Sequence, residues 1–237
     1  MSERPQNRAK GMSVVIPVWN SLDLVRSNLP SSLEAARRLD AAWEVLLVDD
    51  GSTDGTADFV RRNFPEVRVI RRDSNGGFSA AVRTGVEAIR YSVLYLLNSD
   101  AQVEPDAFAA VWPHFEEGEV FAAASMDVER PSFAVPAITN RLGLLGVRYL
   151  AAAIPNTAVP VLFATGGHSA YDMEKFLQLG GFDDLYAPFY WEDIDICVRA
   201  WARSWKVLVE PKSRVRHHVG GSVASSAHGM YRASERG

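Results

Sequence analysis

Short apolar runs alternate with polar punctuation along the first half of the chain. Residues 13–18, SVVIPV, form a β-branched run that predicts a buried strand, and Trp19, Asn20 and Ser21 end it. A helical stretch follows to about residue 39. EVLLV at 44–48 predicts a second buried strand, stopped by Asp49, Asp50 and Gly51. Ser52, Thr53 and Asp54 offer caps for a helix over 56–63. A third strand is predicted at 67–70, then a turn at Asn75, Gly76 and Gly77 and a helix to about residue 90. VLYLL at 93–97 predicts a fourth strand that ends at Asn98, Ser99 and Asp100. The next helix begins near Glu104, with Pro105 in its first turn.

Strands that alternate with helices imply a parallel sheet with helices on both faces. Ligands of such sheets bind beyond the carboxyl ends of the strands. Three of those ends carry chemistry here: Trp19 and Asn20, Asp49 and Asp50, and Asn98, Ser99 and Asp100. Asp, Asn and Gly also populate ordinary turns, but three such turns on one edge favour a site.

The second half is less regular. A strand is predicted at 121–125, an apolar helix at about 140–153 within a long connection, and a strand at 160–165 closing on Gly166 and Gly167. A helix over 172–179 stops at Gly180 and Gly181. Ile194, Cys197, Val198 and Trp201 recur at helical spacing, which puts Glu192 and Asp193 at a helix start. Short strands are predicted at 206–209 and 214–216, and His217 and His218 follow. The apolar stretch 142–154 reads either as core or dimer contact, or as a lid or lipid-facing patch.

Composition narrows the classes. With 47% hydrophobic and 23% charged residues, the 237-residue chain is an ordinary globular sequence. Its 25 basic and 29 acidic residues leave no electrostatic footprint for nucleic acid. No apolar run is long enough to span a bilayer and no signal peptide is read. The single cysteine, Cys197, forms no internal disulfide and excludes cysteine zinc sites. A P-loop, a dinucleotide fingerprint and a nucleophile elbow are all missing from the sequence.

The strand-end acids then carry the argument. Asp49 or Asp50 can accept a hydrogen bond from a nucleobase imide, and one of the pair is expected in an Asx turn or cap instead. Asp100 reads either as a turn residue or, with a diphosphate and one more protein ligand, as a site for a hard divalent cation. Glu192 and Asp193 read either as helix caps or as a general base for an acceptor hydroxyl. His217 reads as a structural histidine or a metal ligand.

Seven motifs in order, VVIPVWN, VDDGSTDGT, NGGFSAAVRTG, LLNSDAQVEPDAF, LGGFDD, WEDIDICVRA and RVRHHVGGS, resemble the family 2 glycosyltransferases, and within them the rhamnosyltransferase-type branch. The resemblance covers about residues 12–222. It implies a GT-A fold: a mostly parallel, Rossmann-like α/β sheet flanked by helices and merged with an acceptor-binding half. The boundaries it implies are a polar tail at 1–11, a nucleotide-sugar half at 12–117, an acceptor and catalytic half at 118–222, and a tail at 223–237. Pro17, Trp19 and Asn20 match the segment lining the nucleotide pocket, and Asp49 and Asp50 match the paired acids, one of which holds the base. Gly76, Arg83, Asn98 and Ser99 complete the expected donor site. Arg83 is read as reaching the diphosphate or facing solvent. Asp100 matches the last acid of the Asp-x-Asp metal motif, and His217 the late histidine of the metal site. Asp193 matches the catalytic base, beside Glu192. Asn98 departs from the first acid of the metal motif.

The activity so implied is an inverting, Mg2+- or Mn2+-dependent sugar transfer. It runs from a UDP- or dTDP-linked donor, such as dTDP-rhamnose, to a saccharide or lipid-linked saccharide. The implied location is cytoplasmic, or peripheral at the inner face of the plasma membrane, in cell-surface polysaccharide synthesis. The alternative is a nucleotide-sugar-binding module that has lost turnover.

Overall fold

The structure is a computed structural model that describes residues 8–116, 118–129, 156–186 and 191–217. The expected helix at 140–153, His218 and the tails at 1–7 and 218–237 lie outside the described residues.

The first half builds as the apolar runs dictate. Strands β1 (Ala9–Val18), β2 (Trp43–Asp49), β3 (Arg68–Arg71) and β4 (Tyr91–Leu97) alternate with helices α1 (Leu22–Arg37), α2 (Thr56–Asn63) and α3 (Phe78–Ala88). All three pairings among these strands are parallel. Because side chains alternate across a strand, each strand feeds both faces of the sheet. Val15, Leu46, Val48, Leu94 and Leu96 pack on one face, and Val14, Ile16, Val45, Leu47, Tyr95 and Leu97 on the other. Both sets are buried, so each face carries helices, as layered α/β packing requires.

Pro17 sits within the central strand β1 without breaking the sheet. The β1–β4 ladder ends at Val15 and Leu96, so at Pro17 the strand keeps only β2 as a neighbour. A missing N–H is tolerated where one side of a strand is free.

The remaining elements are β5 (Ala101–Val103), α4 (Ala107–Val111), β6 (Val120–Asp127), β7 (Val159–Pro160), β8 (His168–Asp172), α5 (Met173–Gln178), α6 (Glu192–Trp201) and β9 (Lys206–His217). They extend the sheet to the order β3-β2-β1-β4-β8-β6-β9-β5, with β7 also on β9. β8 lies antiparallel between β4 and β6 and joins the two halves into one sheet.

Several expectations are corrected here. β1 starts at Ala9, so residues 9–11 belong to a strand and not to a tail. The helix expected from Glu104 begins at Ala107, and β5 precedes it. Of the strand expected at 160–165, Pro160 belongs to β7 and Val161 adds one backbone bond, to Val207 of β9 at 2.9 Å. Val161, Phe163 and Ala164 are core residues in a loop, because burial alone does not require a ladder. The two short strands expected at 206–209 and 214–216 are one strand, β9. Its polar middle is carried by Glu210, which is 6% exposed and accepts from His114 Nε2 at 2.8 Å.

Candidate active site

The parallel register collects the strand ends. Val18 of β1 pairs with Asp49 of β2, Asp49 with Arg71 of β3, and Leu97 of β4 with His168 of β8. The segments after β1, β2, β3 and β4, and the residues before β8, therefore share one edge.

The two adjacent acids do different work. Asp50 accepts from Arg72 Nη1 at 2.8 Å, from Gly76 N–H at 3.1 Å and from Gly77 N–H at 2.8 Å. Those bonds satisfy amides at the start of α3, which no side chain at its N-cap Gly77 satisfies. Asp50 is thus the structural member of the pair, and the Gly76 N–H is engaged by it. Asp49 is fully buried; its Oδ1 accepts from Ser52 N–H at 2.8 Å. Its Oδ2 has no hydrogen-bond partner, and Arg71 Nε stands 3.6 Å away. A buried carboxylate oxygen without a donor carries a desolvation cost. A ligand N–H would relieve it.

Asn20 takes a left-handed φ of 47°, which asparagine tolerates better than most residues. Its N–H donates to Ser52 Oγ at 2.9 Å and its Oδ1 accepts from Thr53 N–H at 2.8 Å. Asp54 accepts from Leu22 N–H at 2.9 Å and Thr56 N–H at 3.0 Å, so it caps the starts of α1 and α2 together. Trp19 is half-buried beside this junction.

The turn after β4 carries the next group. Asn98 N–H donates to the Gly167 carbonyl at 2.8 Å, and Asn28 Nδ2 donates to the Ser99 carbonyl at 2.9 Å. Asp100, 2% exposed, lies 3.0 Å from His217 Nε2 through its Oδ1. The β5–β9 pairing of Ala101 with His217 makes this contact. One carboxylate oxygen and one imidazole nitrogen fit a divalent cation that takes its other ligands from a diphosphate and water. Among the described residues no three His, Cys, Asp or Glu side chains form a metal group. His168 packs edge-on against His217, with ring centroids 5.6 Å apart. Burial, with the neighbouring His217, lowers the His168 pKa to about 4.

Asp193 and Glu192 open α6. Asp193 Oδ2 accepts from Gly166 N–H at 3.0 Å, and its Oδ1 from Ile194 N–H at 2.8 Å. Burial raises the Asp193 pKa above the usual carboxylate range, partly offset by these bonds. Burial also raises that of Glu192, whose Oε2 has no partner. A carboxylate raised in this way is a better proton acceptor at neutral pH. Gly166 and Gly167 connect the two groups: one donates to Asp193 and the other accepts from Asn98. A β-carbon on Gly167 would stand 2.6 Å from Asn98 Nδ2, so the approach needs glycine.

Arg83 pairs with Asp184 in the 3-10 turn Asp184–Tyr186. That ion pair, exposed on both sides, holds its guanidinium. Sequence reasoning missed Arg71, Arg72, Gly166, Gly167 and His168 as members of this edge. The available signal was His168 directly after a glycine pair.

The model of Glycosyl transferase family 2 matches residues 13–180. An uncharacterised protein of Sinorhizobium fredii is 36% identical over 104 residues, 42% of this chain and 11% of the relative. An undecaprenyl-phosphate 4-deoxy-4-formamido-L-arabinose transferase of Salmonella choleraesuis is 30% identical over 113 residues, 46% of this chain and 35% of the relative. The matched regions thus span about a third or less of those relatives. Among solved structures, a mannosyltransferase of Pyrobaculum calidifontis in complex with GDP-Man and Mn2+ superposes with a TM-score of 0.67 at 19% identity, covering 94% of this chain and 61% of its own. GalNAc-T7 with UDP, GalNAc and Mn2+ gives 0.61 at 18% identity, covering 90% and 44%.

Proposed function

The chain belongs to glycosyl transferase family 2, and on that premise we propose that it is an inverting glycosyltransferase of GT-A fold using a nucleotide-diphosphate sugar. Residues 12–117 hold the donor and residues 118–222 the acceptor and the base, on one continuous sheet. The observation that carries the reading is the Gly166–Gly167 pair, which links Asp193 to the Asn98–Asp100 turn through two backbone hydrogen bonds.

The nucleobase imide donates to Asp49 Oδ2, with Pro17, Trp19 and Asn20 lining its pocket. β2 and β4 lie two strand spacings apart, about 10 Å, which separates the base end from the phosphate end at Asn98 and Ser99. Asp100 and His217 would hold Mg2+ or Mn2+, as the Mn2+ in both structural neighbours supports, and that cation would supply charge compensation for the departing diphosphate. Asp193 takes the proton of the acceptor hydroxyl, whose oxygen attacks the anomeric carbon from the face opposite the diphosphate. The proton stays on Asp193 Oδ until solvent removes it. Glu192 backs the base as a buried second carboxyl.

The donor is UDP- or dTDP-linked, dTDP-rhamnose among the candidates, and the acceptor a saccharide or lipid-linked saccharide. The name of the Salmonella relative, an undecaprenyl-phosphate transferase, supports a lipid-linked acceptor. Among the described residues no helix is long and apolar enough to cross a membrane. The contact proposed with such an acceptor is peripheral, at the cytoplasmic face.

A thermal-shift panel of nucleotide sugars with Mg2+ or Mn2+, paired with an assay for nucleoside diphosphate release, tests the proposal. A bound donor raises Tm by mass action, and turnover excludes a purely binding role. A panel in which no donor raises Tm and none is turned over overturns it.

A further inference from the structure

Position 191 is occupied against its own stability on three counts. The Trp191 side chain is one of the few large apolar groups left open, at 63% exposure. Its backbone has φ 85°, a left-handed conformation that strains a bulky residue. It is also the N-cap of α6 and makes no side-chain cap bond, where Ser, Asp or Asn would satisfy a free amide. Glycine would remove the strain and the exposed surface, and asparagine would cap the helix as well.

The main chain at this position is nevertheless held. The Trp191 carbonyl accepts from Asp195 N–H at 2.9 Å and so begins the helix. Two residues on, Asp193 is fixed by Gly166. The indole is therefore carried on the same rigid turn as the proposed base. An aromatic face is electron-rich and attracts the polarised C–H bonds on the face of a pyranose ring.

The occupant follows from the surroundings. Glu192, Asp193 and Asp195 fill the first turn of α6, with Asp195 paired to Arg199, and the two remaining carboxyls disfavour an anionic bilayer or a nucleotide phosphate as the occupant. A neutral sugar is compatible with them. The proposed nucleobase contact, Asp49, is on β2, and both β1 and β4 stand between that strand and β8.

We propose that the Trp191 indole is the platform on which the acceptor saccharide stacks, presenting its hydroxyl to Asp193. This rests on the transferase reading and adds the residue that holds the acceptor ring.

The test uses saturation-transfer NMR of the full chain with four methyl glycosides, those of L-rhamnose, D-glucose, D-galactose and N-acetyl-D-glucosamine. Wild type, Trp191→Gly and Trp191→Phe are compared, with Tm recorded for each. The expected result is saturation of the ring C–H protons of at least one glycoside by the wild type. Affinity falls tenfold or more in Trp191→Gly and is partly kept in Trp191→Phe, while Tm of the glycine variant rises by about 2–6 °C as strain is released. Equal saturation in the glycine variant, or none by the wild type, overturns the platform. Donor thermal shift in the same samples separates the two ideas: a donor that still binds Trp191→Gly as tightly leaves the transferase reading standing when the platform fails.

Discussion

Gly166 donates its N–H to Asp193 Oδ2 at 3.0 Å, while its neighbour Gly167 accepts from Asn98 N–H at 2.8 Å. The two glycines are not equivalent. A β-carbon on Gly166 meets nothing nearer than Asp193 Cβ at 3.7 Å, whereas one on Gly167 comes within 2.6 Å of Asn98 Nδ2. Gly166→Ala is therefore expected to be nearly neutral. Gly167→Ala pushes the Asn98 side chain aside, since its Cγ also stands 3.0 Å from that carbon. Its donor affinity falls severalfold, read by calorimetry with the donor that gives the largest thermal shift.

Replacing Asp193 by Asn removes the proton acceptor and keeps the shape. Transfer is expected to fall by about 10²–10⁴-fold, with donor affinity unchanged in the same calorimetry. Since burial raises the Asp193 pKa, kcat/KM should rise with pH along an acid limb above the ordinary aspartate range. A limb at the ordinary value would argue that another group is the base.

Glu192 gives a stability counterpart. Its folded pKa is raised by burial, so its contribution is most favourable at low pH and is lost as pH rises through the folded value. Glu192→Gln should raise Tm at pH 7, and the difference should shrink on acidification. A Tm gain that is constant with pH would point to packing as its source.

The paired acids after β2 should separate in the same way. With the Gly77 amide keeping Asn75 Oδ1 at 2.9 Å, Asp50→Ala leaves Arg72 and the Gly76 amide without this acceptor. That costs about 3 kcal/mol, seen as a fall in Cm in urea. Asp49→Asn keeps the acceptor for Ser52 but replaces the free oxygen with a donor, so donor affinity should fall by more than stability does.

His168 makes the fold acid-sensitive. It titrates at about 4 in the fold against 6.5 ordinarily. The stability it contributes is complete above pH 6.5 and is lost as pH falls through its folded value, on the order of 3 kcal/mol in all. His168→Gln should flatten the acid limb of a Tm-against-pH curve between those values.

The parallel half was legible because β1, β2 and β4 carry uninterrupted apolar runs, with Asn or Asp close behind each. The second half hid its strands behind polar residues. In β8, HSAYD, His168 and Ser169 are buried, and no apolar alternation marks them. In β9, Glu210, Pro211 and Lys212 split one strand into two apparent ones. The opposite error came from Val161, Phe163 and Ala164, whose apolar run is core outside any strand, with a single backbone bond from Val161 to β9. Asp100 and His217 were each visible as candidates, but their contact spans 117 positions and depends on β5, three residues long. The division of labour between Asp49 and Asp50 was equally hidden, since it rests on Arg72 and on how the Gly76 and Gly77 amides turn.

β8 pairs with β4 from Val93–Asp172 to Leu97–His168, and with β6 on its other side. The strand that follows the glycine pair is thus a keel shared by both halves. The spacing between the proposed leaving-group site and the proposed base is built into sheet register, with no swinging lobe needed to create it. A one-residue slip in that ladder would turn every β8 side chain to the opposite face. Chimeras that exchange acceptor halves between relatives must then carry β4 and β8 together, as a matched cassette.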